Sequence, residues 1–207
     1  MSTQRILTYG VVAALLLILV GTWFSQAPTS PAAPDPSYAQ TLLAARNEKD
    51  AWLRADSASP LLVPQRLNFV GLTYYPLDPA FRLEAQFTPT ARGEAFGDSL
   101  TTPVGELTFG YQGRSYTLTA YHEAGTPPGR LFIPFRDRTN GKATYGGGRY
   151  LLAERTASGT VELDFNRAYH PYCAYNPAYI CPAVPPHNHL PFSVAAGEMG
   201  YATSELP

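Results

Sequence analysis

Glu106-Leu107-Thr108-Phe109-Gly110-Tyr111, then Gln112-Gly113-Arg114, then Ser115-Tyr116-Thr117-Leu118-Thr119-Ala120-Tyr121 reads as two strands joined by a tight turn. Apolar and polar residues repeat here with a period of two, as they do when successive side chains of a strand point to opposite faces. Gly113 is available for the positive φ that such a turn demands. The same period governs the chain from Leu67 onward. Residues 69–75 and 81–87 flank Pro76-Leu77-Asp78-Pro79 as a further expected hairpin with one buried face. Residues 131–136, 149–154, 160–165 and 190–195 bring the total to about eight short strands. The expectation is a mainly β fold, an antiparallel β-sandwich or a partly open β-barrel, with one N-terminal helix.

That helix is predicted over residues 38–54, capped by Asp35-Pro36 or Ser37 and carrying Leu42, Ala45, Trp52 and Leu53 near one face. Lys49 interrupts the stripe. Asp56-Ser57 and Ser59-Pro60 end the helix, and no sustained heptads mark it as a coiled-coil strand. No run alternates strands with long helices, and Gly146-Gly147-Gly148 leads into extended sequence rather than a helix. A parallel nucleotide-binding fold is therefore not expected.

Ahead of the domain, residues 6–24 are almost entirely apolar, with Arg5 and the amino terminus on their N-terminal side. Such a stretch satisfies its side chains and backbone as a helix in lipid, with its cationic end in the cytoplasm. Residues 1–24 are read as a transmembrane anchor or a signal peptide, residues 25–36, with four prolines, as an extended spacer, and residues 37–207 as one extracytoplasmic β-rich domain. The expected location is the bacterial cytoplasmic membrane, single-pass, with secretion after cleavage as the alternative. The membrane is thus an expected partner, and the identity of a ligand or protein partner stays open. A net charge of −1, with no basic stripe, argues against nucleic acid, and no motif calls for a cofactor.

The chemistry-bearing residues gather late in the chain. Residues 164–198 hold both cysteines and three of the four histidines, with Tyr169, Tyr172, Tyr175 and Tyr179 among many prolines. Cys173 and Cys181 could close a disulfide worth about 2 to 3 kcal/mol, remain reduced, or join His170 and His187 or His189 around zinc, although zinc-knuckle spacing is missing. The four tyrosines could stack a sugar or another flat ligand, or simply cover the edge of a β core. Arg136-Asp137, Arg149 and Asp164-x-Asn166 fall at strand ends, with Glu198 after the last strand. Converging arginines would suit an anionic ligand, whereas Arg–Asp pairs also tie loops together. Asp137, Asp164 and Glu198 are the candidates for acid–base work.

Leu131-Phe132-Ile133-Pro134-Phe135-Arg136-Asp137, Thr139-Asn140-Gly141, Gly148-Arg149-Tyr150-Leu151, Asp164-Phe165-Asn166, Pro171-Tyr172-Cys173, Cys181-Pro182, Asn188 and Ala196-Gly197-Glu198 together resemble an uncharacterised prokaryotic family, domain of unknown function 1684. The resemblance is close over residues 131–198 and looser upstream. It implies no activity. His170 and His187 depart from the family pattern, which has Asn and Glu at those positions.

These readings lead to a membrane-tethered module that binds a small ligand, anionic ones included, an envelope component or a protein partner. The ligand-binding candidates are Arg136, Asp137, Arg149, Asp164, Asn166, Tyr169, Asn188 and Glu198. A carboxylate-dependent hydrolase of the cell envelope is the alternative, and a purely structural accessory domain is a third reading.

Overall fold

The hairpin around Gln112-Gly113 forms in the computed structural model, which describes residues 35–90, 93–98 and 100–201. Gln112 and Gly113 have φ of 49° and 73°, the paired left-handed geometry that matches the twist of the strands they join. Those strands are β2 (Thr101–Tyr111) and β3 (Arg114–Glu123). With β1 (Arg82–Pro89), β4 (Arg130–Phe135), β5 (Arg149–Glu154) and β6 (Thr160–Asp164) they make a six-stranded antiparallel sheet in the order β5-β4-β3-β2-β1-β6. A bridge between Arg155 and Val161 brings the outer two strands together, so the sheet is a nearly closed barrel. Closure of this kind removes the exposed edges of an open sheet.

Alternate residues fill the barrel: Leu107 and Phe109 from β2, Leu118 and Ala120 from β3, Leu131, Ile133 and Phe135 from β4, Leu151 and Ala153 from β5. Between β3 and β4 the ladder is thin, with Tyr121 opposite Phe132 as its one registered pair. Pro134 has no N–H to contribute there. The gap is filled by the side chain of Asn188, whose amide oxygen accepts from Thr119 N–H at 2.8 Å while its nitrogen donates to Thr119 O at 2.9 Å and Pro134 O at 2.7 Å. One amide group substitutes for a stretch of missing strand.

Two expected strands are not strands. Residues 69–75 hold a single bridge, from Tyr74 to Glu198, and Leu72 N–H is taken by the Asp50 carboxylate at 3.1 Å. Residues 190–195 run irregularly across the barrel end, where Leu190, Val194 and Ala196 are buried in its core. Their apolar alternation reflects plugging of that end, so the barrel has six strands where about eight were expected.

Helix α1 spans Pro36–Ala55, with the Asp35 carboxylate capping Ser37 N–H at 2.9 Å. It buries Leu42 and Leu53, and Leu53 packs with Leu61, Phe69 and Tyr175 in a second cluster. A short helix α2, Val63–Leu67, follows. Among the described residues no helix is long and apolar enough to cross a membrane. The apolar stretch at 6–24, where the sequence places the anchor or signal, and nearly all of the spacer lie outside the described residues.

Candidate functional site

The outward faces of three neighbouring strands carry an aromatic patch. Tyr121 on β3, Phe132 on β4 and Tyr150 on β5 alternate with the inward core residues, and Phe96 packs onto them. Phe96 lies 5.8 Å from Tyr121, 5.6 Å from Phe132 and 6.0 Å from Tyr150, ring centre to ring centre, all in tilted or edge-on contacts. Tyr169 is held beside β5 by paired backbone hydrogen bonds with Tyr150, of 2.8 Å and 3.0 Å.

Over this floor stands the loop closed by the Cys173–Cys181 disulfide. It presents Tyr172, Tyr179 and Ile180, with Ile180 97% exposed. Tyr172 and Tyr179 meet edge to face at 5.4 Å, and Trp52 of α1 stacks behind Tyr172 at 6.2 Å. The opposite wall, at Phe96 and Gly97, touches the loop at Pro182. Gly97 has φ of 79°, and a β-carbon there would stand 2.8 Å from Pro182 Cγ, so only glycine lets the walls meet. The open groove between them has a volume of about 770 Å³. Asp98 and Glu123 line it together with His170, and no lysine or arginine does among the described residues.

His170 is buried, and its Nε2 accepts from Tyr145 N–H at 3.3 Å. The ring proton of the neutral form therefore sits on Nδ1, 3.6 Å from Glu198 Oε2. Burial, with help from the Arg149 and Lys49 charges, pushes the imidazole down to about 3, so it is neutral at physiological pH. Burial also pushes the Tyr150 hydroxyl up to about 12 and raises Tyr169, which keeps both as donors.

Glu198, 2% exposed, sits behind His170. It pairs with Lys49 and accepts hydrogen bonds from Tyr175 OH at 2.6 Å and His170 N–H at 2.8 Å. Gly197, with φ of 76°, allows this turn, because a β-carbon there would stand 2.6 Å from Ala168 O.

The other sequence candidates are engaged in holding the fold. Arg149 is fully buried, donating to Asp137 at 2.9 Å and to the carbonyls of Val194, Ala196 and Glu198. It clamps the plug segment, and Asp137 reinforces the clamp by accepting from Val194 N–H at 3.2 Å. Arg136 does not line the groove, and neither does Arg149. Asp164 takes Tyr38 OH at 2.5 Å and Arg167 at 3.1 Å, while Asn166 ties Asp78 through both its backbone groups. Asn188 is the strand substitute already described. Among the described residues the carboxylate groups of Asp137, Asp164 and Glu198 have no side-chain partner in common. The zinc arrangement would need both sulfurs as ligands, and here they are bonded to each other.

Of the four tyrosines read as a platform, Tyr169, Tyr172 and Tyr179 line the groove, while Tyr175 is buried against Glu198. Sequence reasoning missed Phe96, Phe132, Tyr150, Asp98 and Glu123. Aromatic residues at outward positions of β3, β4 and β5 were the available signal.

The family described as Protein of unknown function (DUF1684) matches residues 67–199. Among solved structures the chain is similar to the solution NMR structure of an uncharacterized protein from gene locus rrnAC0354 of Haloarcula marismortui, at 35% identity over 79% of this chain and 94% of that one, with a TM-score of 0.64. No curated protein matches.

Proposed function

We propose a function from the premise that the chain belongs to the DUF1684 family, which brings no activity with it: the domain is an extracytoplasmic binding module whose aromatic groove takes a neutral oligosaccharide of the cell envelope. The groove lining carries the reading. Tyrosine and phenylalanine rings suit the C–H faces of a pyranose, and tyrosine hydroxyls add a polar handle at the ring edge. The carboxylates of Asp98 and Glu123 are acceptors for sugar hydroxyls, and their charge, opposed by no lining cation among the described residues, disfavours an anion. This replaces the anionic ligand suggested by Arg136 and Arg149, since neither arginine reaches the groove.

The location rests on the apolar stretch at 6–24 with its cationic N-terminal flank, and on the disulfide, which is compatible with an oxidising compartment. A single-pass tether would place the groove at the membrane surface, within reach of envelope glycans. The three carboxylates considered for hydrolysis have separate partners, which gives no support to that alternative.

Calorimetric titration with chitotetraose, cellotetraose and maltotetraose tests the proposal. Saturable binding of at least one, lost in Tyr172→Ala, is expected. Absence of binding to all three, or binding undiminished in Tyr172→Ala, contradicts it.

A further inference from the structure

A second cleft, of about 200 Å³, lies between α1 and the segment around Asn166 to Tyr169. We propose that it binds a small oxyanion, a carboxylate or a phosphate group, held by Arg46 of α1 and the hydroxyl of Tyr74. Three cations and one acid line it: Arg46, Lys49, Arg167 and Glu198. Lys49 is matched by Glu198, and Arg167 by Asp164 at 3.1 Å. Arg46 makes no direct salt bridge among the described residues, and the Glu198 and Asp164 carboxylates act on it only from a distance. Its guanidinium lies 4.2 Å from the centre of the Tyr74 ring and donates once, to Asn166 O at 3.3 Å.

Two buried donors on residues that line this cleft are left over. Arg46 Nε and the Tyr74 hydroxyl have no hydrogen-bonding partner among the described residues. Such atoms are uncommon in folded proteins, because a buried donor without an acceptor forfeits its hydration for nothing. Burial, with the negative charges of Glu198 and Asp50, holds the Tyr74 hydroxyl in its protonated, donating form. An oxyanion answers all three features at once. Its oxygens accept from Nε and from the hydroxyl, and its charge gives the guanidinium the directly contacting anion it lacks. A water molecule would satisfy the donors and leave the charge. The site is separate in chemistry from the groove, although Tyr169 lines both cavities.

The test uses the full chain, labelled with nitrogen-15 and held in non-ionic detergent. The Arg46 Nε–H resonance, assigned by its loss in Arg46→Gln, is followed during separate titrations with inorganic phosphate and acetate, against sodium chloride at matched ionic strength. A saturable shift in one or both oxyanion titrations is expected, and whichever responds identifies the group. Tyr74→Phe removes only an unpaired hydroxyl, so it should keep or raise the thermal midpoint while weakening the anion by about tenfold. No saturable shift with either oxyanion, an equal shift with chloride, or an unchanged affinity in Tyr74→Phe overturns the proposal.

Discussion

Lys49 of helix α1 and Glu198 near the C-terminal end form an ion pair across 149 positions of sequence, with Glu198 almost wholly buried and Lys49 partly open to solvent. The pair ties the helix to the wall behind the groove. Removing the cation alone leaves a buried carboxylate held only by Tyr175 and the His170 N–H. Lys49→Met should cost about 2 to 3 kcal/mol, toward the lower end for a buried pair because the lysine is partly solvated. Adding Glu198→Gln should recover part of the loss, as urea unfolding would register. Equal midpoints for Lys49→Met and wild type would contradict the assignment.

His170 sets a pH dependence. Its folded-state pKa of about 3 lies below the ordinary histidine value of 6.5, so between those values the unfolded chain binds the extra proton. The stability it contributes is complete above about pH 6.5 and falls as the pH drops toward 3. Between pH 7 and pH 5 the loss should be about 2 kcal/mol, and His170→Asn should abolish that share of it. Urea midpoints across this range check the claim, and parallel profiles for the two proteins would refute it.

Asn188 acts through both ends of its amide. Asn188→Asp keeps the shape but turns a donor into an acceptor facing Thr119 O and Pro134 O. The expected cost is at least about 3 kcal/mol, above that of Asn188→Ala, because the new charge is buried against two carbonyls. Chemical denaturation of both variants decides it, and a milder effect for Asp than for Ala would count against this role.

The disulfide holds one wall of the groove. Cys173→Ser with Cys181→Ser should lower stability by about 2 to 3 kcal/mol through loop entropy. It should also free Tyr172 to move relative to Trp52, changing the tryptophan emission. Unchanged emission and midpoint would mean that the loop is held by other contacts.

The barrel was legible where local chemistry and global packing agree. Gln112-Gly113 and the alternation around it specify β2 and β3, and Arg149–Glu154 is a strand over the residues expected. Residues 190–195 misled because a segment plugging a barrel end also alternates buried and exposed residues. Arg149, Asp137 and Asn188 stood out as restricted polar residues, but a sequence cannot say whether such a group faces a ligand or a backbone. Their partners, Val194, Ala196, Thr119 and Pro134, are brought together only by closure of the barrel. The groove was hidden for a similar reason, since its floor comes from outward positions on three strands. Lys49 was visible as a flaw in the helix stripe, whereas nothing in the sequence singled out Arg46. That flaw marks the face that meets Glu198, and Arg46 on the same helix meets Tyr74.

The groove itself can be tested most directly by measuring which protons of the protein lie against a bound oligosaccharide. In a complex with whichever tetrasaccharide binds, intermolecular nuclear Overhauser contacts should run from the sugar C–H protons to the rings of Tyr150, Tyr169, Tyr172 and Tyr179. Contacts confined to other surfaces, with these four rings silent, would contradict the account.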